Sequence, residues 1–240
     1  MKTITIRLAG PLQSYGNEAP FNLRTTTRYP SKSAVIGMIS AAFGYQRDCS
    51  EIQAFNHLSF AVRVDQPGKL LTDFQTKHST KPYITHRDYL QDAVFVAAVG
   101  SDNEQLINEI NEALHHPKYQ LFLGRKANVP GGALKTQVLK NTDPLAALQQ
   151  LPWQASEWYE NTHYQRRDSI TLKVLADANL TPDVESTMVK DMVKSFDQSL
   201  RQHGFRAVTE RTVTIKIMRK HENRINDDES DTHHDPMRFV

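Results

Sequence analysis

Arg24, Arg28 and Lys32 stand among hydroxyl side chains with no acidic neighbour, directly ahead of an uncharged apolar run from Ala34 to Phe43 that Gly44 ends. This pattern predicts a buried helix with a cationic lead-in. Ser31 or Ser33 suits the first-turn cap, and Gly44 suits the left-handed residue after the last turn. A helix start offers free N–H groups and partial positive charge, so it holds anions. Two arginines and a lysine beside it suit phosphate, and a row of them suits a nucleic-acid backbone. An ordinary capped core helix with a solvated entry loop gives the same pattern. A P-loop is excluded, because the Gly-rich lead and its Gly-Lys-Ser/Thr end are missing. A second basic group follows the apolar run Leu121–Leu123: Gly124, Arg125 and Lys126, leading to Pro130-Gly131-Gly132. Glycine there lets backbone approach a ligand closely, and the two cations suit phosphates; a basic surface turn is the alternative.

Histidine, with ten copies, gives no metal signature: neither His-Glu-x-x-His nor a Cys-His set with zinc spacing occurs. His233-His234 beside Asp231 and Asp235 is a weak metal catcher at best, and Cys49 has no partner cysteine. No motif for a cofactor and no Gly-x-Ser-x-Gly elbow is present. Metal-independent RNA cleavage needs only a placed base, so His86, Tyr83, His115, His116 and Lys118 are candidates for it. No pair among them is specified, and each reads first as a binding or surface residue.

The net charge of +2 hides strong segregation. From Met1 to Arg47, the cations Lys2, Arg7, Arg24, Arg28, Lys32 and Arg47 face a single acid, Glu18. From Ala113 to Thr142 there are Lys118, Arg125, Lys126, Lys135 and Lys140 and no acid. Near the other end Asp227, Asp228, Glu229, Asp231 and Asp235 reverse the sign. One cysteine rules out an internal disulfide and fits a reducing compartment. The longest uncharged run, Ser33 to Gln46, falls short of the roughly 20 residues that span a bilayer. With no signal peptide visible at the N-terminus, a soluble cytoplasmic protein is expected.

The elements that must position these residues follow from periodicity. Thr3–Leu8 alternates as a half-buried strand, and Gly10 to Leu23 reads as a loop. Leu58–Asp65 and Leu70–Thr76 read as strands joined around Pro67-Gly68. Lys77 to Leu90, with turn chemistry at His78–Pro82 and a return arm Tyr83–Tyr89, predicts a protruding hairpin. Ala93–Val99 is an apolar strand. Ser101 and Glu104 read as the capping box of a helix carrying Leu106, Ile107, Ile110 and Leu114, which Pro117 ends. Tyr119–Leu123 is expected as a further strand. The order β-α-β-β-(hairpin)-β-α-β fits a ferredoxin-like or RNA-recognition-motif-like sheet with helices on one face. Past residue 140, Asp143–Gln150 predicts a short helix and Ile170–Leu175 a strand. Val184, Met188, Met192, Phe196 and Leu200 predict a helix from Thr181 to Gly204, and Ala207–Met218 a late strand.

Five ordered blocks carry a family resemblance. They are Arg7-Leu-Ala-Gly-Pro-Leu-Gln-Ser-Tyr-Gly16, Thr27-Arg-Tyr-Pro-Ser-Lys-Ser33, Gly44-Tyr-Gln-Arg-Asp48, His86-Arg-Asp-Tyr-Leu-Gln-Asp-Ala93, and Pro117-Lys-Tyr119 with Leu123-Gly124-Arg125. Together they resemble the CasD subunits of type I-E CRISPR Cascade complexes, over about residues 3 to 135. The resemblance implies an α+β, ferredoxin-like RAMP domain with an antiparallel sheet and a thumb hairpin at about 77–90. The expected organisation is that domain over residues 1–140, a C-terminal α/β extension packed on it over 141–218, and a disordered acidic tail over 219–240. It implies a non-catalytic scaffold of an antiviral ribonucleoprotein that grips the five-prime handle of the CRISPR RNA, with CasC-like backbone and CasA-like large subunits as partners. Matched block by block, Gln13, Tyr15, Arg24, Arg28, Ser31, Lys32 and Ser33 line the handle cradle. Arg87 is the thumb arginine where handle meets guide, and Gly124, Arg125 and Lys126 form the Gly-rich loop. Tyr15, Tyr45 and Tyr83 are candidates to stack on unpaired bases, and Arg47 and His86 complete the RNA-binding set. In the type I-C branch the related subunit is itself an endonuclease, so metal-independent cleavage of precursor RNA is the alternative activity. A protein–protein adaptor with incidental basic loops is the other.

Overall fold

The computed structural model describes residues 1–16, 23–77, 83–164, 167–197 and 199–217. The chain opens with β1 (Lys2–Ala9), adds the short strands β2 (Leu12–Gln13) and β3 (Leu23–Arg24), and forms α1 (Lys32–Phe43) and α2 (Glu51–Ala54). Strand β4 (Ser59–Gln66) leads into a hairpin of β5 (Lys69–Lys77) and β6 (Tyr83–Gln91), then β7 (Val94–Ser101) and α3 (Glu104–His115). After a long loop come β8 (Lys135–Leu139), α4 (Pro144–Gln150), α5 (Glu157–His163), β9 (Ser169–Asp177), β10 (Ser186–Ser195) and β11 (Gln202–Lys216).

At the centre, β4-β7-β1-β8 is an antiparallel sheet in the order of a ferredoxin-like unit, with α1 between β1 and β4 in the chain and α3 between β7 and β8. Strands β9, β11 and β10 extend the β4 edge to seven strands, so the C-terminal part joins the same sheet. Alternation decides what each face buries. Ile4, Ile6, Leu8, Phe60, Val62, Phe95, Ala97 and Val99 pack beneath Val35, Ile39, Ile107 and Ile110 of α1 and α3. The opposite face carries Ala61, Val96, Ala98, Leu172, Val174 and Val213 and is covered by Leu148 of α4 and by Trp153. The ferredoxin pair of helices therefore shares one face as expected, while the chain after residue 140 adds a second cover.

Arg63 of β4 fixes that second cover. It is fully buried, donates to both carboxylate oxygens of Asp65 at 2.7 Å, and also reaches the carbonyls of Leu148, Leu151 (2.7 Å) and Pro152 (2.9 Å). It thus satisfies the carbonyls at the end of α4, which have no partner inside the helix. Trp153 donates its indole N–H to the Asp65 carbonyl at 2.8 Å.

Three sequence expectations need correction. Tyr119–Leu123 is not a strand: Lys118 and Tyr119 donate their N–H groups to the carbonyls of Ala42 and Ala41, closing the end of α1. Buried Leu121 and Leu123 produce the alternation there without a partner strand. The fourth ferredoxin strand is β8, whose sequence Lys-Thr-Gln-Val-Leu carries little apolar signal. The span Thr181 to Gly204 is not a helix but β10 and the start of β11. A four-residue spacing is even, so it keeps to one face of a strand as well as of a helix. Asp191 and Val193, at odd positions, are the buried residues, while Met188 is 63% exposed. Finally, α3 is capped by Asn103, which accepts from the Leu106 N–H at 3.2 Å, whereas Ser101 accepts from the Asn103 N–H. Ser101 still pairs with Lys2 as the last residue of β7, so the helix starts later than a Ser101 cap requires.

Candidate nucleic-acid interface

The hairpin stands where β1 and β4 end and β7 begins, and β6 is its organising strand. On one edge β6 pairs with β5, with Asp73 opposite Arg87. On the other it pairs with β2 near its base and with β3 further out, where Arg24 lies in parallel register with Arg87. Residues in register on neighbouring strands share a face, as do Arg87 and Tyr89 two positions apart.

A third arginine arrives from the loop after α3. The Ser14 N–H donates to the Leu123 carbonyl at 3.1 Å, and the Leu123 N–H to Asn128 at 2.7 Å, which makes a tight turn. Gly124 sits in that turn with φ +87°, and a Cβ there would lie 1.7 Å from the Ser14 carbonyl oxygen. Only glycine combines that backbone conformation with that approach. The next residue, Arg125, lays its guanidinium 4.6 Å from the centre of the Tyr89 ring and donates Nη2 to the Arg24 carbonyl at 2.8 Å. Arg24, Arg87 and Arg125 thus come together from segments far apart in sequence.

Two donors in this cluster have no partner among the described residues: Arg87 Nε and Arg125 Nη1, both shielded from solvent. A buried guanidinium N–H without an acceptor is costly. The fork of an arginine matches the oxygens of a phosphate, and several arginines on one face make a site for an anion of more than one charge. The stack of Arg125 on Tyr89 holds the cation in place, since both guanidinium and ring are planar.

Other expected site residues have different surroundings. Gln13 and Tyr15 are interior: Gln13 donates to the carbonyls of Leu8 and Ala93, and the Tyr15 hydroxyl donates to Gln13 at 2.6 Å. A ring only 2% exposed is closed to base stacking. Ser31 is the cap of α1, accepting from the Ala34 N–H at 3.2 Å, and Ser33 is buried against it. Lys32 does not face solvent. Its Nζ lies 3.0 Å from Asp177 and from the Asn56 carbonyl, and its backbone N–H donates to Asp191 at 2.8 Å. Arg206 bonds both aspartates, and burial depresses the Lys32 pKa. The anion at this helix start is therefore the protein's own Asp191. These partners come from β9, β10 and β11, the last two within the span whose start the sequence pattern assigned to a helix, which is why sequence reasoning missed them. Tyr45 forms a three-ring cluster with Phe43 and Phe55, its hydroxyl pKa raised chiefly by burial.

Arg28, Arg47 and Lys126 are exposed, as is Tyr83 at the start of β6. His86 lies on the hairpin face opposite Arg87, across from Phe74. His115 and His116 lie at the end of α3, where a ring nitrogen of His115 contacts the Asn111 carbonyl at 2.8 Å. The three histidines considered for cleavage are thus divided between β6 and the end of α3. Tyr89, which the sequence showed only as part of a motif, supplies the platform for Arg125.

Residues 3–209 match the family described as CRISPR-associated protein (Cas_Cas5). The chain belongs to the Cas5 family. Among curated Cas5 relatives is the CRISPR system Cascade subunit CasD of Escherichia coli strain K12, 30% identical over 167 residues, which cover 60% of this chain and 75% of that protein. Cas5-like architecture also recurs in solved structures. A chain of a CRISPR RNA-guided surveillance complex is 29% identical with a TM-score of 0.72, the match covering 89% of this chain and 91% of that one. A structure described as a Cas protein is 28% identical with a TM-score of 0.65, over 88% and 94% of the two chains.

Proposed function

We propose that this Cas5 protein is a non-catalytic RNA-binding subunit of a CRISPR surveillance complex of the Cascade type, holding the five-prime handle of the CRISPR RNA. The observation that carries this reading is the meeting of Arg24, Arg87 and Arg125 part-way along the hairpin strand β6, with N–H groups on two of them that have no partner among the described residues. In this reading a backbone phosphate of single-stranded RNA takes the open donors of Arg87 and Arg125, and the hairpin projects beyond it along the strand. Phosphate contacts set position and register, and handle specificity comes from base edges meeting loop backbone and side chains. Arg28, Arg47 and Lys126 add exposed positive charge. CasC-like backbone subunits and a CasA-like large subunit are the proposed neighbours, by likeness to the CasD relative.

The test is purified protein with labelled CRISPR repeat RNA in EDTA, read for binding and cutting together. A shifted, intact RNA supports the scaffold reading. A specific cut at the handle boundary overturns it in favour of a metal-independent endoribonuclease, and absence of binding to any RNA favours a protein adaptor.

A further inference from the structure

We propose that Asp191, far in sequence from the arginine site, is a positioning residue for RNA: by gripping the start of α1 it holds residues 27–32, and with them Arg28, in place for the RNA backbone. This role rests on the RNA-binding reading given above and assigns the C-terminal strands a part in it.

The segment is fixed at two ends. At one, the Thr27 N–H donates to the Tyr15 carbonyl at 2.8 Å, and the Thr27 hydroxyl to the Tyr29 carbonyl at 2.7 Å. At the other, the Lys32 N–H, one of the first α1 donors with no partner inside the helix, donates to Asp191 at 2.8 Å. Arg28 is exposed between these anchors, while Pro30 and Lys32 are buried. A cation on a stretch fixed at both ends has less freedom to lose when it meets a phosphate, so preorganisation adds to its affinity.

Asp191 is itself firmly set. Val189 pairs with Arg206 and Met192 with Gly204, so β10 carries one residue more than β11 here, and Lys190 and Asp191 together face Phe205. In this bulge Asp191 turns inward and is 4% exposed. Arg206 closes on both of its carboxylate oxygens, at 2.7 and 3.0 Å, and on Asp177. Just beyond the bulge, Asn56 exchanges two hydrogen bonds with Val193, at 2.7 and 3.0 Å, which ties β10 to the chain after α2. The two carboxylates differ in what they reach. Asp177 accepts from the Lys32 ammonium and the Phe60 N–H, whereas Asp191 accepts from the Lys32 backbone. Removing Asp177 loosens the charge cluster; removing Asp191 also frees the start of α1.

The experiment compares the full chain with Asp191→Ala, with Arg28→Ala, with both together, and with Asp177→Asn as a control for the shared charge cluster. Each is titrated with labelled CRISPR repeat RNA over a salt series, and the chains that keep Arg28 are exposed to trypsin without RNA. Asp191→Ala is expected to weaken binding about fivefold at low salt and to lower the slope of log affinity against log salt by about 0.7, the loss of one phosphate contact on a single strand. Arg28→Ala is expected to do the same, and the double variant to lose little more than either, because both remove one contact. Trypsin is expected to cut after Arg28 about fivefold faster in Asp191→Ala, as the freed segment opens. Asp177→Asn is expected to lower the melting temperature and leave both slope and cutting rate unchanged. Where Asp191→Ala does not fold, Asp191→Asn, which keeps one acceptor oxygen, is expected to give the same signs at smaller size. Losses that multiply to about 25-fold in the double variant overturn the proposal, because Asp191 then acts elsewhere. An unchanged slope in Asp191→Ala, or a slope and cutting rate altered as much by Asp177→Asn, also overturns it, and each of these results leaves the RNA reading intact. Faster cutting in Asp191→Ala with no RNA binding by any chain upholds the anchor and overturns the RNA reading, and with it the RNA role of Asp191.

Discussion

Gly124 and Arg125 show how one backbone position sets a binding group. The turn at Gly124 passes so close to Ser14 that a Cβ has no room, and the same turn places Arg125 over Tyr89. Gly124→Ala is expected to cost about 1–3 kcal/mol in stability and to weaken RNA binding by moving Arg125, measured by denaturant unfolding and RNA titration. A variant with unchanged stability would mean that the turn relaxes freely. Arg28 and Lys32 make a paired test, because they are neighbours in one motif with opposite surroundings. Arg28→Ala is expected to lower the slope of log affinity against log salt by about one contact. Lys32→Met is expected to leave that slope unchanged and to destabilise the fold by about 1–3 kcal/mol, because Asp177 loses a buried partner. A reduced slope in Lys32→Met would contradict its interior placement.

At the scale of elements, the sequence is most legible where one signal has one meaning. A serine cap at Ser31 or Ser33, the apolar run and Gly44 define α1, with Ser31 the cap in the structure, and the turn at Pro67-Gly68 precedes a strand of the hairpin. Legibility fails where two structures share a pattern, as in the even spacing from Val184 to Leu200, or where burial occurs without pairing, as at Leu121 and Leu123. The site was readable in part. Arg87, Gly124 and Arg125 lie in recognisable blocks and Arg24 in the basic lead-in to α1, but their convergence depends on a parallel β3–β6 pairing that no local pattern encodes. Lys32 was misread because its acidic partners lie on distant strands. The second cover depends on one buried charge in the same way. Arg63→Ala is expected to destabilise by about 3–5 kcal/mol, since it strands Asp65 and frees the end of α4. A thermal or denaturant midpoint shifted by much less would show that water replaces the guanidinium.

For the whole molecule, a seven-stranded sheet is the rigid base, a second sheet of four strands built on the hairpin projects from it, and the arginines meet along β6 of the second sheet. The ferredoxin-like centre is held by apolar layers on both faces and does not draw on the hairpin arginines, so removing one of their guanidiniums is expected to leave that centre folded. That separation allows function to be tested without confounding it with stability. The most direct measurement is titration of labelled CRISPR repeat RNA, in EDTA, onto the unmodified chain and onto Arg87→Ala and Arg125→Ala variants with matched melting temperatures. The account predicts intact RNA throughout, tight binding by the unmodified chain, and a loss of about tenfold or more in affinity for each variant, with a shallower salt dependence. Equal affinity and equal salt dependence in all three proteins, or a specific cut in the bound RNA, would contradict it.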